Sequence, residues 1–429
     1  MIPTLFLLVA AWGAIATAIA STRGRRPPQL GALYWLVAWP VAELPLQHLV
    51  ASAAVTAVAA ALGAFDSWQG FAGAALVVAS WPLLLRLDRL GRESQRPLRA
   101  ALEAAFAGRV AHVGDRADER VLPRGHRLRP FRVHDRDGVE RIRNLAYGPA
   151  GVRNQLDVYR PRGVNLAHAP VLLQIHGGAW VMGEKDHQGL PLMNALARRG
   201  FVCVAINYRL SPKATFPDHL VDCKRAVAWI RDHIAGYGGD PRWVAVTGGS
   251  AGGHLASLLA LTPDEPSFQP GFEQADTRVA ACVPLYGAYD FLHHNGVDVL
   301  ESRGEGFVQT KVMKSNPRDA HEAWERASPI RWVNPDAPPF FVIHGANDSL
   351  VWCEGARAFV AALRAASRSP VAYAELPGAQ HAFDLFWSPR SAHTVEAIAA
   401  FLGAVAGAGP RRVAPAASAT RASGAGQSR

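Results

Sequence analysis

Cysteine occurs only four times in the 429 residues, and charged residues make up only 19%. None of Cys203, Cys223, Cys282 and Cys353 forms a C-x-x-C pair, so neither a disulfide framework nor a zinc knuckle is indicated. They read as small core residues. His293-His294 lacks a second ligand pair and reads as two loop histidines. No Gly-Lys-Ser/Thr phosphate loop is present, and no glycine fingerprint follows a first strand, which argues against nucleotide binding. There is no aromatic RNP-like strand or zinc-finger spacing, so the net charge of +10 does not point to nucleic acid. The basic excess lies in Arg86, Arg89, Arg92, Arg96 and Arg99, which follow an apolar stretch, and in Arg411, Arg412, Arg421 and Arg429 of a tail without acids. No internal repeat is evident.

What the chain has in quantity is hydrophobic sequence, 49% of residues. That is ample for a sizeable core and points to a membrane part. Ile2 to Ala20 carries no charge and nearly spans a bilayer, since about 20 helical residues cover ~30 Å. Ala18-Ile19-Ala20 resembles a signal-peptide cleavage site, but the stretch before it holds no Lys or Arg. Leu30 to Phe65 is a second apolar stretch, interrupted by Glu43, Pro45 and His48. Phe71 to Leu85 is a third. A core helix hairpin is the alternative for these two. Residues 1–90 are expected to form about three membrane spans. Arg23, Arg25 and Arg26 follow the first span, and arginines return from Arg86, which predicts a multi-pass protein of a bacterial inner membrane with its downstream part in the cytoplasm. A charge at a bilayer centre costs ~2.5–3.5 kcal/mol on insertion scales. Glu43 should therefore lie near an interface or face another helix. Residues 91–132 read as an Arg-rich juxtamembrane helix with a linker touching acidic lipid, or as a solvated connector. Residues 409–429 read as a disordered tail.

Residues 133–408 alternate strand and helix patterns. Strands are predicted at Arg141–Tyr147, Leu156–Tyr159, Val171–Ile175, Phe201–Ile206, Trp243–Val246, Val279–Tyr286, Phe340–Ile343 and Val371–Glu375. Helices are predicted at Asp218–Ile234, after Ser250, at Ala356–Ala365 and at Thr394–Val405. Alternation of this kind implies an α/β fold with a mostly parallel sheet covered by helices on both faces. Residues 291–339 form a long insertion and read as a lid over an acyl pocket, with Trp324 and Trp332 as its wall or as ordinary packing.

Ester hydrolysis through a serine needs an exposed hydroxyl, an oriented base and waiting oxyanion donors. Gly248-Gly249-Ser250-Ala251-Gly252 is a G-x-S-x-G pentapeptide between strand and helix, a context that strains the serine and lifts its oxygen above the sheet. His176-Gly177-Gly178-Ala179-Trp180 follows the strand two before it, and its glycines expose backbone N–H groups. Asp348 and His381 each sit in a loop after a later strand, in the order serine, acid, histidine. Rival acids are Asp336, on the wrong edge of the sheet, and Asp384, close in sequence to His381. Rival bases are His344, at a strand end, and His254, pointing into the helix after Ser250.

Together, "HGGAW", "NYRLSP…FPDHLVDC", "GGSAGGHLA", "HGANDSLV" and "GAQHAF" resemble the hormone-sensitive-lipase branch of α/β-hydrolase esterases over about residues 154–402. The resemblance implies an α/β-hydrolase fold and carboxylic ester hydrolysis through an acyl-enzyme. Ser250 would be nucleophile, His381 general base and Asp348 its orienting acid. The backbone N–H groups of Gly178, Ala179 and Ala251 would form the oxyanion hole, with Gly177 shaping the loop. Ala179 stands where the family often has a third glycine, and Gly249 where it often has an acid. Arg209 and Asp222 pair loops near the site. The membrane-spanning front end resembles membrane-attached actinobacterial esterases of this branch. The implied partners are a small-molecule or lipid ester and membrane lipid, with no nucleic acid, metal or organic cofactor. An amidase or peptidase on the same scaffold and a non-catalytic binding module are the competing functions.

Overall fold

The computed structural model describes residues 1–22, 30–107, 129–134, 137–263, 265–292 and 304–407. Arg23, Arg25, Arg26, His293-His294, most of the expected linker and the expected tail lie outside the described residues.

The chain opens with helices α1 (Ile2–Ser21), α2 (Gly31–Glu43), α3 (Pro45–Ala61), α4 (Trp68–Glu93) and α5 (Gln95–Phe106). Among the described residues, two helices are long and apolar enough to cross a membrane, Ile2–Ser21 and Trp68–Phe106. The number rises to three if α2 and α3, bent by 88° at Leu44, count as one broken span. Pro45 opens α3, where its missing N–H costs no helical bond and its ring ends the preceding helix. Leu5, Leu8, Trp12 and Ile15 of α1, Val50 and Val58 of α3, and Phe71, Val78 and Leu85 of α4 all face outward. So much exposed apolar side chain is rare on a monomeric soluble protein.

Of the two places expected for Glu43, near an interface or facing another helix, the structure shows the second, against the start of helix Pro389–Val405. Glu43 is buried against Arg390, paired with the guanidinium and accepting from the Ser388 hydroxyl at 3.0 Å. The stretch read as a juxtamembrane helix and linker, or as a solvated connector, is helical over α5, and this helix packs on the sheet domain. Leu98, Ala101 and Leu102 bury in the same core as Val139, Leu172 and Phe401. Their i, i+3, i+4 spacing gives the helix an apolar face that packs on the sheet domain.

That domain holds strands β1 (Val139–Ala146), β2 (Gln155–Pro161), β3 (Ala169–Ile175), β4 (Val202–Ile206), β5 (Gly239–Gly249), β6 (Ala281–Leu285), β7 (Phe340–Gly345) and β8 (Val371–Leu376). They form one sheet in the order β1-β2-β4-β3-β5-β6-β7-β8. The pairs β1/β2 and β2/β4 are antiparallel, and β4 through β8 run parallel. The intervening helices are α6 (Leu190–Arg198), α7 (Asp218–His233), α8 (Ala251–Leu261), α9 (Gly304–Phe307), α10 (His321–Arg326), α11 (Cys353–Ala366) and α12 (Pro389–Val405).

The sheet is buried on both faces, as continuous apolar strands such as "APVLLQI" require. Val171, Leu173 and Ile175 enter one core with Leu220 and Val227 of α7, Leu255 of α8 and Phe359 of α11. Leu172 points the other way, into a core with Met193 and Leu196 of α6 and Phe401 of α12. All four cysteines are free and buried, as read. In the insertion, Trp324 is fully buried and Trp332 stacks edge-on against Phe268. Both take the packing role.

Candidate active site

β5 ends at Gly249 and α8 begins at Ala251, leaving Ser250 alone at the turn with φ 58° and ψ −122°. A serine with positive φ is uncommon and costs free energy, and such strain persists only where the surroundings over-determine it. Here they do. The Ser250 amide donates to the Leu285 carbonyl at the end of β6 (2.9 Å), and its carbonyl accepts from His254 (3.0 Å). A Cβ at Gly252 would overlap the Ile175 carbonyl oxygen of β3, so glycine is what lets α8 start against the sheet. The Ser250 hydroxyl itself has no hydrogen-bond partner among the described residues.

The loop after β7 carries Asp348 and the loop after β8 carries His381. Their side chains meet, with His381 Nδ1 2.7 Å from Asp348 Oδ2. The other carboxylate oxygen accepts from the amides of Leu350 (2.9 Å) and Val351 (2.8 Å). His344 Nε2 approaches Asp348 Oδ2 at 3.3 Å and the Val351 carbonyl at 2.8 Å. Burial alone would raise the Asp348 pKa, but His381 and His344 hold it well below the ordinary carboxylate range. An ionised Asp348 can only accept, so the shared proton sits on His381 Nδ1 and leaves Nε2 as the basic nitrogen.

The rivals occupy other places. Asp336 is exposed and paired with Arg368. Asp384 accepts from the Tyr286 hydroxyl, and burial raises its pKa. His254 Nδ1 accepts from the Trp180 indole (3.2 Å) while Nε2 faces the Ala327 carbonyl (2.7 Å). Both ring nitrogens are spent, and burial lowers its pKa to about 4. Arg209 clasps both carboxylate oxygens of Asp222, donating from Nε to Oδ2 (2.9 Å) and from Nη2 to Oδ1 (2.9 Å), and reaches Asp218 (3.0 Å), the loop-pairing role read for it.

The "HGGAW" loop lies against the serine turn. A Cβ on Gly177 would stand 3.2 Å from the Ser250 Cβ. Ala179 and Trp180 adopt φ 51° and 61°, so the alanine takes a left-handed conformation that a glycine would adopt without steric cost. The Gly177 amide donates to Gln188 Oε1 (2.7 Å) and is thereby withdrawn from oxyanion binding. That engagement agrees with the loop-shaping part the resemblance implies for Gly177, grouped there with Gly178, Ala179 and Ala251. The amides of Gly178, Ala179 and Ala251 make no hydrogen bond among the described residues. Ala251 is also the first residue of α8, where free N–H groups and the helix dipole favour negative charge.

Gln188 escaped the sequence reading because no motif marks a glutamine 11 residues past a glycine loop. Tyr286 escaped it too. Its ring centroid is 4.7 Å from that of His381, and its hydroxyl occupies the space where a Gly249 side chain would go. That explains why an acid often seen at 249 in the family is absent here. Glu184, Asp186 and His187 could offer ligand atoms within 4.8 Å of one another. Asp186 is already tied to Arg141 (2.8 Å), and we assign no metal to the group.

The BD-FAE family model matches residues 156–363. LipM of Mycobacterium tuberculosis, described as a probable carboxylic ester hydrolase, is 48% identical over 332 residues, covering 75% of each chain. The chain belongs to the hormone-sensitive-lipase branch of α/β-hydrolase esterases. It is a carboxylic ester hydrolase. Esterase LipQ of the same organism is 40% identical over 385 residues, 88% of this chain and 85% of LipQ. Among solved structures, the esterase Est2 of Thermogutta terrifontis superposes with a TM-score of 0.52 at 24% identity, over 65% of this chain and 98% of that one. This likeness concerns the fold.

In this esterase, burial disfavours the charged form of three histidines. Burial lowers His176 and His254 from 6.5 to about 4 and His219 to about 3. The unfolded chain takes up protons at these positions below about pH 6.5, and the fold does not until near pH 4. Acid therefore favours unfolding, by ~1.4 kcal/mol per pH unit for each histidine inside that window. The depressed Asp348 adds to the loss at still lower pH. The melting temperature is expected to fall steadily from pH 7 to 4.5, and His254→Gln to flatten that slope. A pH-independent melting temperature would contradict the assignment.

Proposed function

We propose that this esterase works through a Ser250–His381–Asp348 relay while held in a membrane by its N-terminal helices. Ser250 Oγ attacks the ester carbonyl and His381 Nε2 takes its proton. The carbonyl oxygen becomes an oxyanion facing the amides of Gly178, Ala179 and Ala251. The carbon–oxygen bond to the alcohol breaks, and His381 returns the proton to the departing oxygen. Water, deprotonated by the same nitrogen, then attacks the acyl-enzyme and releases the acid. Asp348 stays ionised and stabilises the imidazolium. The observation that carries this reading is the Asp348–His381 hydrogen bond of 2.7 Å, closed over an ionised, buried carboxylate. Ser250→Ala is expected to lower kcat for a p-nitrophenyl ester by ~10⁵–10⁶, and Asp348→Asn by ~10³–10⁴, with the protein still folded. Near wild-type turnover in a folded Ser250→Ala protein would end the proposal.

The two long apolar helices and the outward apolar side chains of α1, α3 and α4 support membrane attachment. The arginines that flank the apolar stretches support a cytoplasmic hydrolase domain. An ester delivered from the lipid phase is the matching substrate class. The full chain is expected to sediment with membranes, to resist alkaline carbonate and to be released by detergent. Release by carbonate alone would refute the attachment.

A further inference from the structure

Gly31, Trp35, Trp39 and Glu43 recur every four residues along α2, so they form one ridge of that helix. The whole ridge rests on the sheet domain. The Trp35 indole N–H donates to the main-chain carbonyl of His381 (2.9 Å), and the Trp39 indole to that of Ala382 (2.9 Å). Trp39 also stacks on Phe386, with ring centroids 4.7 Å apart. Glu43 is buried against Arg390 and Ser388. At the other end, a Cβ on Gly31 would overlap the Ser349 carbonyl oxygen. The Ser349 hydroxyl lies 3.1 Å from the Gly31 carbonyl and 3.2 Å from Gln380 Oε1. Ser349 follows Asp348 and Gln380 precedes His381, so the ridge touches the acid loop and the base loop one residue from each functional side chain. Leu33 and Leu36 of α2, off this ridge, are exposed.

A second observation bears on the same loop. Ala382 adopts φ 62°, a conformation that a non-glycine residue holds only when its surroundings impose it. The two indole bonds grip the carbonyls on either side of the Ala382 α-carbon. We propose that Trp35 and Trp39 are positioning residues of the esterase, and that α2 is part of the frame of the active site as well as of the apolar bundle. They act through the backbone of His381 and set the direction from which its imidazole reaches Ser250. A displacement of ~1 Å in such a group can cost about 100-fold in rate.

This inference rests on His381 being the base, and the test separates the two claims. Full-length wild type, Trp35→Phe, Trp39→Phe, the double variant and Ser250→Ala are purified in detergent. Active sites are counted by the burst of p-nitrophenol from a slow ester, and kcat is expressed per counted site. Trp→Phe keeps the ring and removes the N–H. The double variant is expected to lose about tenfold in kcat per counted site, with KM within about twofold of wild type. Each single variant, keeping one of the two bonds, is expected to fall in between, and carries the comparison if the double variant does not fold. Trp12→Phe, an exposed position on α1, is expected to match wild type. An unchanged kcat per counted site, or a loss accounted for by fewer active sites, overturns the positioning role. Activity surviving in Ser250→Ala would instead overturn the underlying relay.

Discussion

The constraint on which the site depends is the close approach of three backbones around Ser250. The end of β5, the start of α8 and the end of β3 touch without side chains between them, because Gly248 and Gly252 face the carbonyl of Ile175. The amide of Ser250 is fastened to Leu285 on the next strand. With both sides closed, the serine has no relaxed conformation available and its hydroxyl stands above the sheet. The same geometry sets Ala251 at a helix start with a free amide and lays the 176–180 loop beside it. The proposed nucleophile and its proposed oxyanion donors thus come from one packing arrangement.

The electrostatics follow from burial. Asp348 is withdrawn from water, which penalises its charge, yet two histidines and two amides outweigh that penalty. Burial disfavours charge on His176 and His254; His176 Nδ1 meets the Gly177 carbonyl, and both nitrogens of His254 are engaged, by Trp180 and the Ala327 carbonyl. The site therefore has one carboxylate kept charged and one imidazole left with a basic nitrogen. Burial raises the pKa of Asp384, against the hydrogen bond it accepts from Tyr286.

Much of this was legible in the chain. The strand positions, the serine turn, the acid and the histidine follow from local patterns, because alternation and glycine clusters are local signals. The first turn of α12, residues 389–393, was missed, although Ser388 caps it ahead of a first-turn proline and forms a capping box with Ser391. The apolar residues that set the helical period begin only at Thr394. Gln188 and Tyr286 were not legible, since their roles depend on contacts between segments far apart. The face of α2 was half legible. Glu43 demanded a partner, but nothing in the sequence could say that the partner was Arg390, 347 residues on, or that two tryptophans on the same ridge would grip the histidine loop. The apolar stretch read as membrane-spanning is thus lined on one side by the hydrolase itself.

The account stands or falls on the serine and its waiting amides. The most direct test is a structure of the full-length protein after reaction with a phosphonate ester, whose tetrahedral phosphorus mimics the intermediate. We expect phosphorus bonded to Ser250 Oγ, with its phosphoryl oxygen ~2.7–3.1 Å from the amides of Gly178, Ala179 and Ala251. An adduct on another residue, or a phosphoryl oxygen turned away from all three amides, would contradict it.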